Sequence, residues 1–308
     1  MNAMHTLTCK NIVRQVGNDF TLGPINLEIP TGTVTAVIGN NGAGKTTFFQ
    51  ALSGDYPGEG ETNILGYNSH HIEGKASFSY VPQSFPEFHP FRLQQLRDFQ
   101  AAHDETWNEA LFQLYIQQFK LPMNKRIQDL SVGMQRKAVI ALQLSRETSF
   151  LLLDEPFAGL DMEGQTQFEK ILLSKMEGNP QCSIVFATHV ASEVGRLADF
   201  VVIMKHGKAS TPIEKDTLRQ QWKRIWLTKP MEDMEDAPGV KKVLTEPALQ
   251  IITNNAPETE TWLANRGAEV VKRTTLDLYE SLPLILNEER NTFEMEKERG
   301  VISDDIND

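Results

Sequence analysis

Apolar residues in this chain gather in short runs separated by turn chemistry. Near the start, LTCKNIVRQV, FTLGPINLEI and TVTAVIG are β-rich and broken by Gly, Pro or Asn, which predicts three strands. TVTAVIG leads through a glycine-rich turn into KTTFFQALSG, a predicted helix in which Phe48 and Leu52 share a face and Gly54 supplies the stop. SFSYVPQ, SFLLLDEP, CSIVFATH and DFVVIM are continuous apolar runs, the pattern of strands buried on both faces of a mostly parallel sheet. Helical periodicity lies between several of them, as in Phe168, Ile171, Leu172 and Met176. From about Pro86 to Arg126 the chain is rich in Gln, Phe and Leu and lacks β-branched runs, which predicts a small helical insertion, extending with the next helix over about 86–147.

After about Ser210 the pattern restarts. A helix is predicted at IEKDTLRQQW, then strands at RIWLTK, ALQIIT and AEVVKRT around helices at PETETWLAN and LDLYESLPLIL. The reading is a first domain over 1–210, a smaller α/β domain over 211–290 and a tail over 291–308. The tail segment EMEKERGVISDDIND carries six acidic and two basic residues and predicts disorder. A length of 308 residues accommodates two domains, and 40 % apolar with 23 % charged residues suits a chain that buries a core.

Charge narrows the functional classes. A net charge of -11 argues against a surface devoted to gripping nucleic acid, so no direct nucleic-acid binding is expected. No apolar run approaches the roughly 20 residues of a membrane span, and the start lacks the long apolar stretch of a signal peptide. Cys9 and Cys182 have no metal-ligand or CxxC spacing, which fits a reducing cytosol.

Chemistry concentrates in two segments. GNNGAGKTT, residues Gly39, Asn40, Asn41, Gly42, Ala43, Gly44, Lys45, Thr46 and Thr47, has the spacing of a phosphate-binding loop and lies between a strand and a helix, as that loop requires. Glycine lets the backbone N–H groups wrap a phosphate, Lys45 reaches the β and γ phosphates, and the Thr46 hydroxyl is a ligand for Mg²⁺. SFLLLDEP ends a buried strand on Asp154, a second candidate for Mg²⁺. Glu155 beside it is the candidate general base for an attacking water.

With these motifs and those that follow in order, residues 7–210 resemble the ABC ATPase family. Gln83 in SYVPQSF resembles the family's Q-loop glutamine, LSVGM (Leu130 to Met134) its signature motif, AGLD (Ala158 to Asp161) its D-loop and His189 in FATHV its switch histidine. Singly, Gln83 reads as a loop glutamine, His189 as a strand-end residue and Ser131 as a helix cap; their joint order carries the resemblance. It implies a P-loop ATPase fold with a mixed sheet core, an antiparallel β subdomain and a helical subdomain, followed by a small C-terminal α/β domain. ATP and Mg²⁺ are the implied cofactors, with Gln83 sensing metal and γ-phosphate. Ser131 and Gly133, opening a helix that contains Ala138, Ala141 and Leu142, would clamp the γ-phosphate of a second subunit's nucleotide, with Asp161 nearby. The signature departs from LSGGQ at Val132 and Met134, a variation similar to that of exporter-type members. The position of the adenine-stacking aromatic falls near Val16, with Phe20 as a substitute.

The implied function is ATP hydrolysis that powers a membrane transporter, an exporter by resemblance, from the cytoplasmic face of the membrane. The implied partners are a second ATPase subunit, identical or related, and integral membrane permease subunits. Phe85, Phe88 and Phe91 are read either as a receiving surface for a permease helix or as core of the insertion. The alternative function is a soluble ABC ATPase acting on a ribosomal, DNA or protein assembly.

Overall fold

A computed structural model describes residues 5–54, 58–69 and 71–286; the acidic tail expected over 291–308 lies outside them. The chain divides into two compact units, one of Met1–His189 with Ala198–Pro212 and one of Val190–Leu197 with Ile213–Asp308.

The first unit opens with β1 (His5–Val16) and β2 (Phe20–Pro30), long antiparallel strands whose alternating burial puts Leu7, Cys9, Leu22, Ile25, Leu27 and Ile29 into one core. β3 (Val34–Ile38) follows and leads into α1 (Lys45–Leu52), which Gly54 ends in a left-handed conformation at φ 73°. β4 (Glu59–Ile64) and β5 (Tyr67–Asn68) complete a small sheet of order β2-β1-β4-β5, and α2 (Ile72–Ala76) leads to β6 (Phe78–Val81).

Helices α3 (Leu93–His103) and α4 (Glu109–Phe119) follow, with α4 packed on α5 (Val132–Leu144). The chain then alternates through β7 (Phe150–Asp154), α6 (Met162–Gly178) and β8 (Ser183–Thr188). Following α7 (Ala191–Leu197), which belongs to the second unit, β9 (Phe200–Lys205) and β10 (Lys208–Ala209) close the main sheet in the order β10-β9-β3-β8-β7-β6. β10 is antiparallel to β9; the other pairs are parallel.

Every residue of β3, β7 and β8 is buried, which explains why their sequences are unbroken apolar runs rather than alternating ones. Register does the rest. Ile38 pairs with Thr188 and Asp154 with Ala187, so Gly39, Glu155 and His189 leave the sheet side by side at its carboxyl edge, where open α/β sheets bind ligands.

The second unit also holds β11 (Ile213–Glu214), α8 (Lys215–Gln221), β12 (Lys223–Leu227), β13 (Val240–Leu244), β14 (Gln250–Thr253), α9 (Ala256–Asn265) and β15 (Val270–Thr275). Its antiparallel sheet runs β13-β14-β12-β15, and Ile225, Ile251 and Leu263 share its core. Asn255 caps α9 by accepting from Glu258 N. Residues 278–286 are helical. β13, in GVKKVL, is a strand absent from the sequence expectation: its two lysines interrupt the apolar pattern because they face outward on an edge strand.

Phe48 is fully buried and packs edge-on against Phe49 in the core between the two sheets of the first unit. Phe48→Ala should lower unfolding free energy by about 3–5 kcal/mol, read from urea denaturation of the intact chain.

Candidate active site

The phosphate-binding loop is shaped by contacts glycine alone permits. A Cβ on Gly39 would lie 2.5 Å from Met204 O and 2.9 Å from Ala43 Cβ, so this residue is small to let the loop press against β9. Gly44, at φ 101°, occupies the cap position of α1 and accepts from Phe48 N at 2.8 Å. The helix start thus faces the loop with unsatisfied N–H groups and no acidic residue in the first turn, the arrangement that receives anions. Lys45 is only 7 % exposed; its ammonium donates to Gly39 O at 2.8 Å and lies 3.8 Å from Glu155 Oε1.

A pocket of about 540 Å³ gathers most of the predicted residues: Val16, Asn40, Asn41, Gly42, Gly44, Lys45, Thr46, Thr47, Gln83 and Glu155 line it. Phe20 joins them, its ring against Gly44, so the aromatic side chain of this wall comes from the first residue of β2 rather than from Val16. Thr46 Oγ1 donates to Gln83 Oε1 at 3.2 Å.

At the pocket's base, β7 ends on Asp154 and is followed by Glu155, two buried carboxylates with different partners. Asp154 is fully buried, and its oxygens make no well-formed hydrogen bond, the Thr46 hydroxyl being the donor that bears on them. Burial pushes its carboxyl up to about 6, and the adjacent Glu155 charge adds to this; the Thr46 hydroxyl, Arg136 and Lys45 pull the other way. Glu155 stands in a left-handed conformation at φ 45°, with its amide held by Ala187 O at 3.1 Å. His189 Nδ1 lies 3.1 Å from both Glu155 carboxylate oxygens, and the ring is half exposed. Asp154, Thr46 and Gln83 together offer hard oxygen donors, one of them a buried carboxylate with unused acceptors, and this set fits Mg²⁺. Among the described residues no group of three or more His, Cys, Asp or Glu has metal-binding placement.

Ser131, Gly133 and Asp161 form a second cluster outside that pocket. Ser131 caps α5, its hydroxyl accepting from Met134 N at 3.4 Å, and Asp161 caps α6, accepting from Gly164 N at 3.0 Å. The two helix starts touch: a Cβ on Gly133 would lie 2.8 Å from Gly159 O, and Lys137 Nζ donates to Asp161 Oδ1 at 2.9 Å. Lys137 and the Gly164 amide together hold the Asp161 carboxyl below the usual range. Val132, the departure from the usual signature, is 72 % exposed and points away from its own core.

Two residues that shape this region went unnoticed in the sequence, Arg136 and Lys137. Arg136 is buried beneath the Asp154–Glu155 turn. The one signal for it is its place on the α5 stripe with Ile140 and Leu144, where an apolar residue is the ordinary choice. The aromatic run after Gln83 divides: Phe85 is buried, Phe88 half-buried and Phe91 exposed. Phe88 and Tyr80 line a separate groove of about 620 Å³ with Pro82, Ser84, Gln143 and Arg146.

The buried acid makes a stability prediction. A carboxyl with folded pKa near 6 and a reference value of 3.8 binds its proton more tightly in the folded state, so stability falls as pH rises through this window. Above about pH 6 the ionised form costs roughly 3 kcal/mol, and below about pH 4 nothing. Asp154→Asn should therefore raise the urea midpoint of the nucleotide-free chain at pH 7.5, with the gain shrinking toward pH 4.

Comparison with known proteins agrees with this geometry. Residues 22–158 match the family described as ABC transporter. The chain is 31 % identical over 228 residues to the energy-coupling factor transporter ATP-binding protein EcfA2 of Ligilactobacillus salivarius, covering 66 % of this chain and 78 % of that one. It is 29 % identical over 212 residues to the sulfate/thiosulfate import ATP-binding protein CysA of Synechocystis, where the match spans 66 % of this chain and 59 % of the relative. Among solved structures, the dimeric post-hydrolysis ATP-binding cassette MJ0796, bound to ADP and Pi, superposes with a TM-score of 0.59 at 20 % identity over 68 % of this chain and 98 % of that one. With the phosphate loop, the paired carboxylates and the two capped helices in this order on this sheet, the chain belongs to the ABC transporter family as an ATP-binding subunit with the ABC ATPase fold.

Proposed function

We propose that this chain hydrolyses MgATP at the Lys45–Glu155–His189 cluster and so drives an exporter-type ABC transporter from the cytoplasmic face of the membrane. The observation that carries the reading is the meeting of phosphate loop, ammonium, carboxylate and imidazole within hydrogen-bonding or ion-pair reach at one sheet edge.

In this mechanism the loop amides from Gly39 to Thr47 and the Lys45 ammonium hold the β and γ phosphates. Thr46, Gln83 and Asp154 would hold Mg²⁺, which supplies positive charge against the phosphate oxygens. Glu155 takes a proton from the water that attacks the γ-phosphorus, and the bond to the β–γ bridging oxygen breaks to release ADP. His189, 3.1 Å from that carboxylate, orients it and faces the leaving phosphate from its half-exposed position. Val16 and Phe20 receive the base.

The second cluster has a different task. Ser131 and Gly133 at the start of α5, with Asp161 beside them, meet the γ-phosphate bound to a second copy or a related chain, so that ATP closes two subunits and hydrolysis loosens them. The groove beside Gln83, with Phe88 on its wall, receives a short helix of a membrane permease subunit. Export is favoured over import by the LSVGM resemblance.

Glu155→Gln should keep ATP affinity and lower steady-state turnover by about 10²–10⁴-fold, whereas Lys45→Ala should weaken ATP binding itself; unchanged hydrolysis in the first variant removes Glu155 from the mechanism. Tagged chain purified from detergent-solubilised membranes should bring with it a polytopic membrane protein that stimulates hydrolysis, identified by mass spectrometry. Recovery of only ribosomal or soluble partners would favour the alternative of an ATPase acting on a soluble assembly.

A further inference from the structure

Arg136 lies in the second turn of α5 and is 4 % exposed. Its hydrogen bonds all go to main-chain carbonyls, not to carboxylates. Nη2 donates to Asp154 O at 2.6 Å and to Glu155 O at 2.8 Å, Nε donates to Pro156 O at 3.3 Å, and Nη1 donates to Pro82 O. Burial lowers its pKa to about 10, with Asp154, Glu155 and Tyr80 opposing the shift. Sinking a cation into protein without a hydrogen bond to a carboxylate is costly even with carboxylates nearby, and a leucine or methionine would fill the same helix face without that cost. The position therefore needs the fork of donors, which among the side chains belongs to arginine alone.

What the fork holds is informative. Asp154 O, Glu155 O and Pro156 O are three consecutive carbonyls, so the peptide planes on both sides of Glu155 are fixed by one side chain. Glu155 is also the residue held at φ 45°, a region that residues other than glycine rarely occupy and that persists only where the surroundings enforce it. The fourth carbonyl, Pro82 O, immediately precedes Gln83, whose side chain meets Thr46 across the pocket. Arg136 makes no described hydrogen bond to the phosphate loop.

We propose that Arg136 is a positioning residue for ATP hydrolysis: its guanidinium locks the peptide before Gln83 to the Asp154–Pro156 turn, and thereby holds Gln83 and Glu155 in place around the nucleotide. The inference rests on the ATPase reading above. Because α5 also begins with Ser131 and Gly133, the same side chain ties the helix end that meets a second subunit to the hydrolytic turn of its own subunit. Loss of the lock leaves the loop that binds ATP intact and displaces the base, and a displacement of about 1 Å suffices to cost on the order of a hundredfold in rate.

The test uses the full-length chain carrying Arg136→Lys or Arg136→Gln, beside the parent and Glu155→Gln. MgATP affinity is measured by fluorescent-nucleotide titration, with kcat, KM and the urea midpoint. The expected result is an affinity and KM within about threefold of the parent and a kcat lowered by about tenfold in Arg136→Lys and further in Arg136→Gln. A folded variant with parental kcat overturns the proposal, as does a fall in kcat matched by an equal loss of ATP affinity. Failure of both variants to fold assigns Arg136 to stability alone and overturns it too. If Glu155→Gln hydrolyses ATP like the parent, the ATPase reading fails; if Glu155→Gln is inactive and Arg136→Lys is not slowed, only the role of Arg136 fails.

Discussion

The constraint on which this structure turns is the burial of charge at the carboxyl end of β7. Asp154 has no exposed surface and no well-formed hydrogen bond to either oxygen, and Glu155 follows it in a left-handed turn. Two adjacent carboxylates out of water are unfavourable unless cations and donors surround them. The chain supplies Lys45 from one loop, His189 from the next strand and Arg136 from beneath. Lys45 and His189 reach the turn because parallel register aligns the ends of β3, β8 and β7, whereas Arg136 reaches it from α5. Gly39 lets the phosphate loop settle against β9.

Division of labour follows from where the helices begin. The start of α1 opens into the pocket with Lys45, whereas the starts of α5 and α6 stand together elsewhere, each capped by its own side chain and joined through Lys137 and Asp161. A single subunit in the proposed mechanism thus carries two partial sites, one that holds a nucleotide and one that completes a neighbour's. Arg136 bridges them within the chain, because its helix begins in the second and its guanidinium grips the turn of the first.

Much of this was legible in sequence for identifiable reasons. The phosphate loop could be read because its spacing follows from backbone geometry, and the buried strands because a sheet covered on both faces yields unbroken apolar runs such as SFLLLDEP. Asp154 and Glu155 were marked as strand-end carboxylates and Ser131 as a helix cap, while Asp161 was marked only through the resemblance of AGLD to a D-loop. What escaped is what depends on contacts distant in sequence. Arg136 serves carbonyls 18 to 54 residues away, and its place on the apolar stripe of α5 does not by itself name those partners. The split fate of Phe85 and Phe91, one buried and one 47 % exposed, likewise depends on how the insertion folds back on itself. β13 was hidden by the paired lysines of its edge.

The claim that two partial sites complete each other across subunits is tested most directly by mixing two inactive variants, Lys45→Ala and Ser131→Arg, and measuring ATP turnover. In a mixed pair both lesions fall in one site and leave the other whole. The account predicts that turnover rises above that of either variant alone, toward roughly a quarter of the parent rate if pairing is random. Two folded, inactive variants that remain inactive together would contradict it.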